Sequence, residues 1–109
     1  MTEVADLTAE SVEALLGGET TAVLLDFWAP WCGRCRLLEP GVKAIAGDYE
    51  GRLRVARIDV ATAPDLAERF GVQGLPTVLL LDAGAEVARL DGVFTPAAIR
   101  SALDLHFAS

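Results

Sequence analysis

The stretch from Ala22 to Cys35, AVLLDFWAPWCGRC, joins an apolar run to a pair of cysteines and decides the fold. Residues 22–28 are almost continuously apolar, which is typical of a central strand covered by helices on both faces. Beyond the cysteines, Arg36 to Tyr49 carries apolar residues at helical spacing, and Pro40 is expected to kink that helix. The sequence therefore predicts a buried strand leading into a helix whose first turn holds both cysteines.

The rest of the chain alternates strand and helix patterns, with no linker or internal repeat. We predict four further strands: a short one near Val4, then Arg52 to Val60, Thr77 to Asp82, and Glu86 to Phe94, the last two joined by a turn at Ala83-Gly84. We also predict three further helices. The first runs from Thr8 to Leu16, the second is opened by Thr62-Ala63-Pro64 and ended by Gly71, and the third is capped by Thr95-Pro96 and runs to Phe107. This order predicts a single α/β domain over residues 1–109. Its central mixed sheet should have about five strands, flanked by about four helices.

Composition and charge narrow the classes of partner. No apolar run approaches the roughly 18 residues that a membrane-spanning helix needs. Sixteen acidic and nine basic residues give a net charge of −7, which opposes binding to nucleic acid and to anionic membranes. The N-terminal residues show no pattern of a secretion signal, so we expect a cytoplasmic protein.

Two conventional interpretations of the cysteine pair are a metal site and a structural disulfide. Zinc takes three or four protein ligands, and His106 is the only histidine that could join the two cysteines. The shortage of ligands disfavours a zinc site within one chain, and a zinc ion shared by two copies of the chain stays open. A structural disulfide closing so short a loop would contribute only about 2 kcal/mol.

A reactive dithiol accounts for more of the surrounding residues. At a helix N-terminus, Cys32 would feel the positive end of the helix dipole, which stabilises a thiolate. Cys35, three residues on, would share its helix face and resolve a mixed disulfide. Arg34 adds a cation that could make the pair more oxidising by roughly 30 mV for each unit by which the Cys32 pKa falls. A solvated, screened Arg34 is the alternative.

Asp26 is the one polar residue of the apolar strand. A buried carboxylate must be paired, hydrogen-bonded or protonated, because an isolated buried charge costs several kcal/mol. Asp26 could lie beneath the dithiol and take the proton of Cys35, with Arg57 of the next strand as a partner that lowers its pKa. A strand-end aspartate bonded to backbone donors is the alternative.

Several motifs together resemble the thioredoxin family. They are DFWAPWCGRC from Asp26, Pro40, GVQGLPT over residues 71–77, and Gly84 and Gly92 at the spacing found in that family. The resemblance implies the thioredoxin fold and a dithiol–disulfide oxidoreductase that reduces protein disulfides. It implies Cys32 as nucleophile, Cys35 as resolving thiol and Asp26 as proton acceptor. It further implies no bound cofactor beyond the redox-active Cys32–Cys35 disulfide, and the ligand count given above argues against a metal.

The resemblance also implies partners and a docking surface. Partners would be disulfide-containing target proteins and a flavin-dependent, NADPH-using thioredoxin reductase, and the protein would be a monomer. Pro76 would be a cis-proline opposite the cysteines, holding Leu75 with its backbone free to pair with a substrate. The docking groove would be formed by Trp31, Gly33, Gly74, Leu75, Gly92 and Val93. The alternative is a trans turn proline flanked by ordinary turn glycines.

The chain departs from the family at three positions. Arg34 stands where proline is usual, which implies a less reducing protein, and Gly33 and Pro40 join it as residues that tune the pair. Arg57 replaces the usual lysine. Asp91 replaces an apolar groove residue and would offset part of the effect of Arg34. Two other functions stay open at this stage, a disulfide oxidase or isomerase and a binding module that acts irrespective of redox state.

Overall fold

Strands and helices alternate along the chain in a computed structural model, which describes residues 5–6, 11–12 and 22–108. The elements are β1 (Ala5–Asp6), β2 (Ala22–Trp28), α1 (Gly33–Asp48), β3 (Leu53–Asp59), α2 (Pro64–Arg69), β4 (Thr77–Asp82), β5 (Ala85–Asp91) and α3 (Pro96–Phe107). The predicted α/β class is confirmed. Within the described residues, no helix is long and apolar enough to cross a membrane.

One mixed sheet with the strand order β1-β3-β2-β4-β5 forms the centre of the fold. Strand β3 pairs in parallel with β1 and β2, whereas β4 runs antiparallel to both β2 and β5. Four strands have six or seven residues, and β1 adds only a two-residue pairing at one edge. A register shift between Leu80 and Leu81 interrupts the β4–β5 ladder. The final strand ends at Asp91, three residues earlier than predicted, because the chain turns at Gly92 with a φ of 81°.

Both faces of the sheet are buried, as the apolar run of β2 predicts. Leu24 lies in a cluster with residues of α1 and α3, whereas its neighbour Leu25 lies in a cluster with Leu66 of α2. The alternation follows from strand geometry, since successive side chains point to opposite faces. Helices α1 and α3 therefore cover one face, and α2 covers the other together with Val12.

The described helices begin where the sequence predicts. Pro64 and Pro96 each occupy a first helical turn, and the Thr95 hydroxyl accepts from the Ala98 N–H at 3.3 Å. The residue that caps α2 is Ala63, which forms no side-chain cap bond. Of the predicted helix from Thr8 to Leu16, only residues 11–12 are described, and they are helical; the rest of that prediction lies outside the described residues.

Helices α1 and α3 meet at Gly41 and Pro96. A Cβ atom built on Gly41 would lie 2.7 Å from Pro96 Cβ and closer still to its Cγ. Such a separation is too short for two carbon atoms, so only glycine fits at this crossing. Gly41 thereby fixes how closely the helix that carries the cysteines approaches α3.

Candidate active site

The cysteine pair lies at the N-terminus of α1, where Cys32 is the N-cap and Gly33 the first helical residue. The two cysteines form a disulfide, with Cα atoms 5.3 Å apart. Cys32 Sγ also accepts from the Cys35 N–H at 3.2 Å. The predicted placement of both cysteines at the helix start is therefore confirmed. In the reduced protein, first-turn N–H groups and the helix dipole favour negative charge on Cys32.

The two cysteine residues differ in exposure. Cys32 is 7% exposed and Cys35 only 2%. Ala29 is buried with them, and Trp28, Val60 and Leu75 pack against the three. Cys32 is therefore the more accessible residue of the pair, and Cys35 is the more deeply buried one.

The segment from Gly71 to Thr77 packs Leu75 against the cysteine cluster, and Pro76 follows Leu75 directly. The Leu75–Pro76 peptide bond is cis, as the resemblance implies, so the alternative of a trans turn proline is wrong. The Thr77 hydroxyl donates to the Gly74 carbonyl at 2.7 Å and closes the turn around this bond. Within the described part of the chain, the Leu75 backbone makes no hydrogen bond.

Arg89 of β5 anchors the start of this segment from a distance along the chain. Its Nη2 donates to the Phe70 carbonyl at 2.6 Å, and its Nη1 donates to the Gly71 carbonyl at 3.2 Å. Glu86 orients the guanidinium by accepting from both Nε and Nη2. The sequence analysis missed Arg89, because no motif connects it to residues 18 and 19 positions earlier.

Two clefts lie along the predicted groove. The larger, of about 280 Å³, is lined by residues that include Arg34, Leu37, Pro76, Gly92 and Val93. The smaller, of about 180 Å³, is lined by residues that include Trp31, Val60, Gly74 and Leu75. The predicted groove residues are thus divided between two clefts, except that Gly33, although exposed, lines neither of them.

Large apolar side chains are exposed along these clefts. Trp31 is 72% exposed, Val93 80% and Leu37 82%. Leu37 is one of the apolar residues at helical spacing in α1, yet it faces the larger cleft and not the core. Burying such side chains against a partner supplies a favourable free energy of binding, roughly 25 cal/mol per Å² of apolar area. This surface is suited to contact a protein chain.

Asp26 and Arg57 face the helix that carries the cysteines. They are register partners on β2 and β3, with the same alternation as Leu24 and Val55, which pack under α1. Arg57 Nε lies 3.7 Å from Asp26 Oδ2, which confirms the predicted pairing. Within the described residues Asp26 Oδ1 has no hydrogen-bond partner, so the alternative of backbone donors is not found.

Burial dominates the electrostatics of Asp26, which is 1% exposed. The pKa of Asp26 is raised to about 6, because desolvation and, to a smaller extent, repulsion from Glu39 outweigh the opposing attraction of Arg57. As predicted, burial raises the pKa of Asp26 and Arg57 lowers it, and the effect of burial is the larger of the two. Asp26 can therefore gain and lose a proton near neutral pH.

The other charged residues that we singled out lie at the surface. Arg34 and Asp91 are exposed. Glu86 is the main cause of the raised pKa of Arg89, and Asp91 is close enough to Arg89 to raise it slightly more. His106 Nε2 lies 2.8 Å from Asp82 Oδ2. Among the described residues, no group of three or more His, Cys, Asp and Glu side chains could hold a metal ion.

Comparison with known proteins gives a consistent result. The thioredoxin family profile matches residues 3–105. Thioredoxin 2 of Chlorobaculum tepidum is 34% identical over 101 residues, covering 93% of each chain. Thioredoxin 1 of Nostoc is 31% identical over 106 residues, covering 97% of this chain and 99% of that protein. The crystal structure of chloroplastic thioredoxin z is 30% identical, with a TM-score of 0.87 over 100% of this chain and 98% of the other.

Proposed function

This chain belongs to the thioredoxin family of disulfide oxidoreductases, and we propose that it is a general reductase of protein disulfides in the cytoplasm. The observation that carries the proposal is the Cys32–Cys35 disulfide at the start of α1, packed against Leu75, whose backbone makes no hydrogen bond to the described residues. A reducing compartment suits this activity, because protein thiols are kept reduced there.

The proposed reaction begins at Cys32. Its thiolate sulfur attacks one sulfur of a target disulfide, and the other target sulfur leaves as a thiolate and takes up a proton. The target is then joined to Cys32 by a mixed disulfide. An extended target segment pairs with the Leu75 backbone, and its side chains contact Trp31 and Val93 in the two clefts.

Cys35 completes the reaction. Asp26 accepts the Cys35 proton, and the Cys35 sulfur attacks Cys32 Sγ. The remaining target sulfur leaves and is protonated, so the target gains two electrons and this protein keeps the Cys32–Cys35 disulfide. A flavin-dependent thioredoxin reductase then returns two electrons from NADPH. The cysteines carry the electrons, so no bound cofactor is required.

Arg34 adjusts the balance between the two redox states. It is exposed and lines the larger cleft beside the start of α1. A fixed positive charge there favours the Cys32 thiolate and hence the reduced form, which makes the protein a weaker reductant. Asp91 would act in the opposite direction. Gly33 and Pro40 are proposed to tune the pair through the local geometry of α1.

Insulin reduction tests the proposed function. We expect turnover with dithiothreitol, and with NADPH and a thioredoxin reductase, that is lost in Cys32→Ser and Cys35→Ser. Absence of turnover in the unaltered protein would refute a reductase. Full biological activity in the double serine variant would favour a binding module instead. Asp26→Asn should slow the step in which Cys35 attacks and leave formation of the mixed disulfide nearly unchanged.

A further inference from the structure

Arg57 is shared between two carboxylates. Its Nε lies 3.7 Å from Asp26 Oδ2, and its Nη1 lies 3.6 Å from Glu39 Oε1. The guanidinium carbon lies over the Trp28 ring, 4.0 Å from the centroid. The Arg57 side chain is only 11% exposed, so a single nearly buried cation contacts two acids.

Glu39 reaches this cation from the helix that carries the cysteines. It follows Cys35 by four residues, a spacing that places both on one face of α1. Lys43, one turn further on, lies 3.1 Å from Glu39 Oε1. The hydrogen bond from Lys43 is the main reason that the pKa of Glu39 is lowered. Glu39 is therefore ionised at neutral pH.

Neither carboxylate holds Arg57 closely. Charge-assisted hydrogen bonds between nitrogen and oxygen are typically about 2.7–2.9 Å long, and both distances here are clearly longer. Within the described residues, Arg57 Nε and Asp26 Oδ1 have no hydrogen-bond partner. Arg57 therefore compensates the Asp26 charge only in part.

We propose that Glu39 is a positioning residue for thiol–disulfide exchange. Because Glu39 shares Arg57 with Asp26, the cation neutralises the negative charge of Asp26 only in part. The Asp26 carboxylate can therefore take up and release a proton at neutral pH. This inference rests on the proposed function, in which Asp26 accepts the proton of Cys35. Among the described residues, the charged groups that act on Asp26 are Arg57 from β3 and Glu39 from α1. Strand β4 places the apolar Val78 opposite Asp26.

The sign of the effect distinguishes sharing from tethering. If Glu39 competes for Arg57, its removal frees the cation for Asp26 and also removes a negative charge, and both changes lower the Asp26 pKa. If Glu39 instead tethers Arg57 in place, its removal lets the guanidinium move away and raises that pKa. The geometry points to sharing, since Arg57 lies at nearly equal distances from the two carboxylates, 3.7 Å from Asp26 Oδ2 and 3.6 Å from Glu39 Oε1. Direct repulsion from Glu39 also raises the pKa of Asp26.

The test is a carboxyl NMR titration of Asp26 in the oxidised protein, in which the cysteines do not titrate. In Glu39→Gln we expect the Asp26 midpoint to fall by about half a pH unit or more. Asp48→Asn is the matched control, since it makes the same charge change on α1 at a residue paired with Arg100. Its midpoint should equal that of the unaltered protein. An unchanged or raised midpoint in Glu39→Gln would overturn the proposal.

Two further measurements connect Glu39 to exchange. In an Arg57→Gln background, Glu39→Gln should produce a smaller shift, because no cation remains to be shared. The pH profile of the Cys35 attack should move with the NMR midpoint in Glu39→Gln, and a profile that stays in place would overturn the positioning role. Failure of insulin reduction would refute the proposed function separately, since the NMR midpoint is measured without substrate.

Discussion

Replacing Asp26 by Asn should stabilise the protein, and the gain should depend on pH. The Asp26 side chain is 2% exposed and its nearest cation is shared with Glu39. Asn has nearly the same shape and carries no charge, so it resembles the protonated acid. After the substitution Arg57 keeps Glu39, at 3.6 Å, as a counter-ion.

The magnitude follows from the pKa of Asp26, which burial raises from 3.8 to about 6. A shift of about two units corresponds to about 3 kcal/mol, at about 1.4 kcal/mol per unit. Because the folded-state pKa is the higher one, the folded protein binds more protons between pH 3.8 and about 6, and stability falls as the pH rises through that window. Below the window the native and unfolded proteins are both protonated, and above it the full cost is present.

Urea denaturation of the oxidised proteins measures this difference. Near pH 3.8, Asp26→Asn should have the same free energy of unfolding as the unaltered protein. Well above pH 6, the variant should be more stable by about 3 kcal/mol. Asp48→Asn is the control, because Asp48 forms an exposed ion pair with Arg100, and such pairs contribute about 0–1 kcal/mol. A gain that is the same at every pH, or a loss of stability in alkali, would refute the argument.

Three further variants, the first with a glycine control, test other parts of the structure. Gly41→Ala should lower the free energy of unfolding by about 1–3 kcal/mol, because the new Cβ would overlap Pro96 of α3. Gly47→Ala in the same helix is the control. A Cβ there meets no atom within 4 Å, so the free energy of unfolding should stay the same or rise. Arg34→Pro should be more reducing, by about 30 mV at most, in equilibration with glutathione; an equal or more oxidising potential would contradict the role of Arg34. Arg89→Met should cost about 1 kcal/mol in urea and lower kcat/KM for insulin, because the segment before Leu75 loses two backbone contacts.

The parts of the structure that the sequence predicts are those with a local signal. The run from Ala22 to Trp28 indicates a strand buried on both faces because it lacks alternation, and the structure buries it on both faces. The helix start at Cys32 follows from apolar periodicity that begins just after the cysteines. Asp26 stands out as the one polar residue of its predicted strand, whereas Arg57 is one of three arginines in the predicted neighbouring strand, so the sequence offers their pairing without singling it out.

The parts that sequence reasoning missed depend on tertiary alignment. Leu37 fits the apolar period of α1, but periodicity cannot distinguish a residue facing the core from one facing a cleft, and Leu37 is 82% exposed. Glu39 has a weak signal, its spacing of four from both Cys35 and Lys43. Its contact with Arg57 depends on how α1 crosses β3, which no local pattern specifies.

Strand β5 has a consequence for the behaviour of the protein at high concentration. It is the last strand of the sheet, and an outer strand offers unpaired backbone groups to any neighbouring chain. Glu86 and Arg89 pair on this strand at 2.8 Å, and a register shift lies between Leu80 and Leu81 beside it. Charges and bulges are features by which natural sheets block edge-to-edge addition. We therefore expect β5 to resist edge-to-edge pairing with a neighbouring chain when the protein is concentrated.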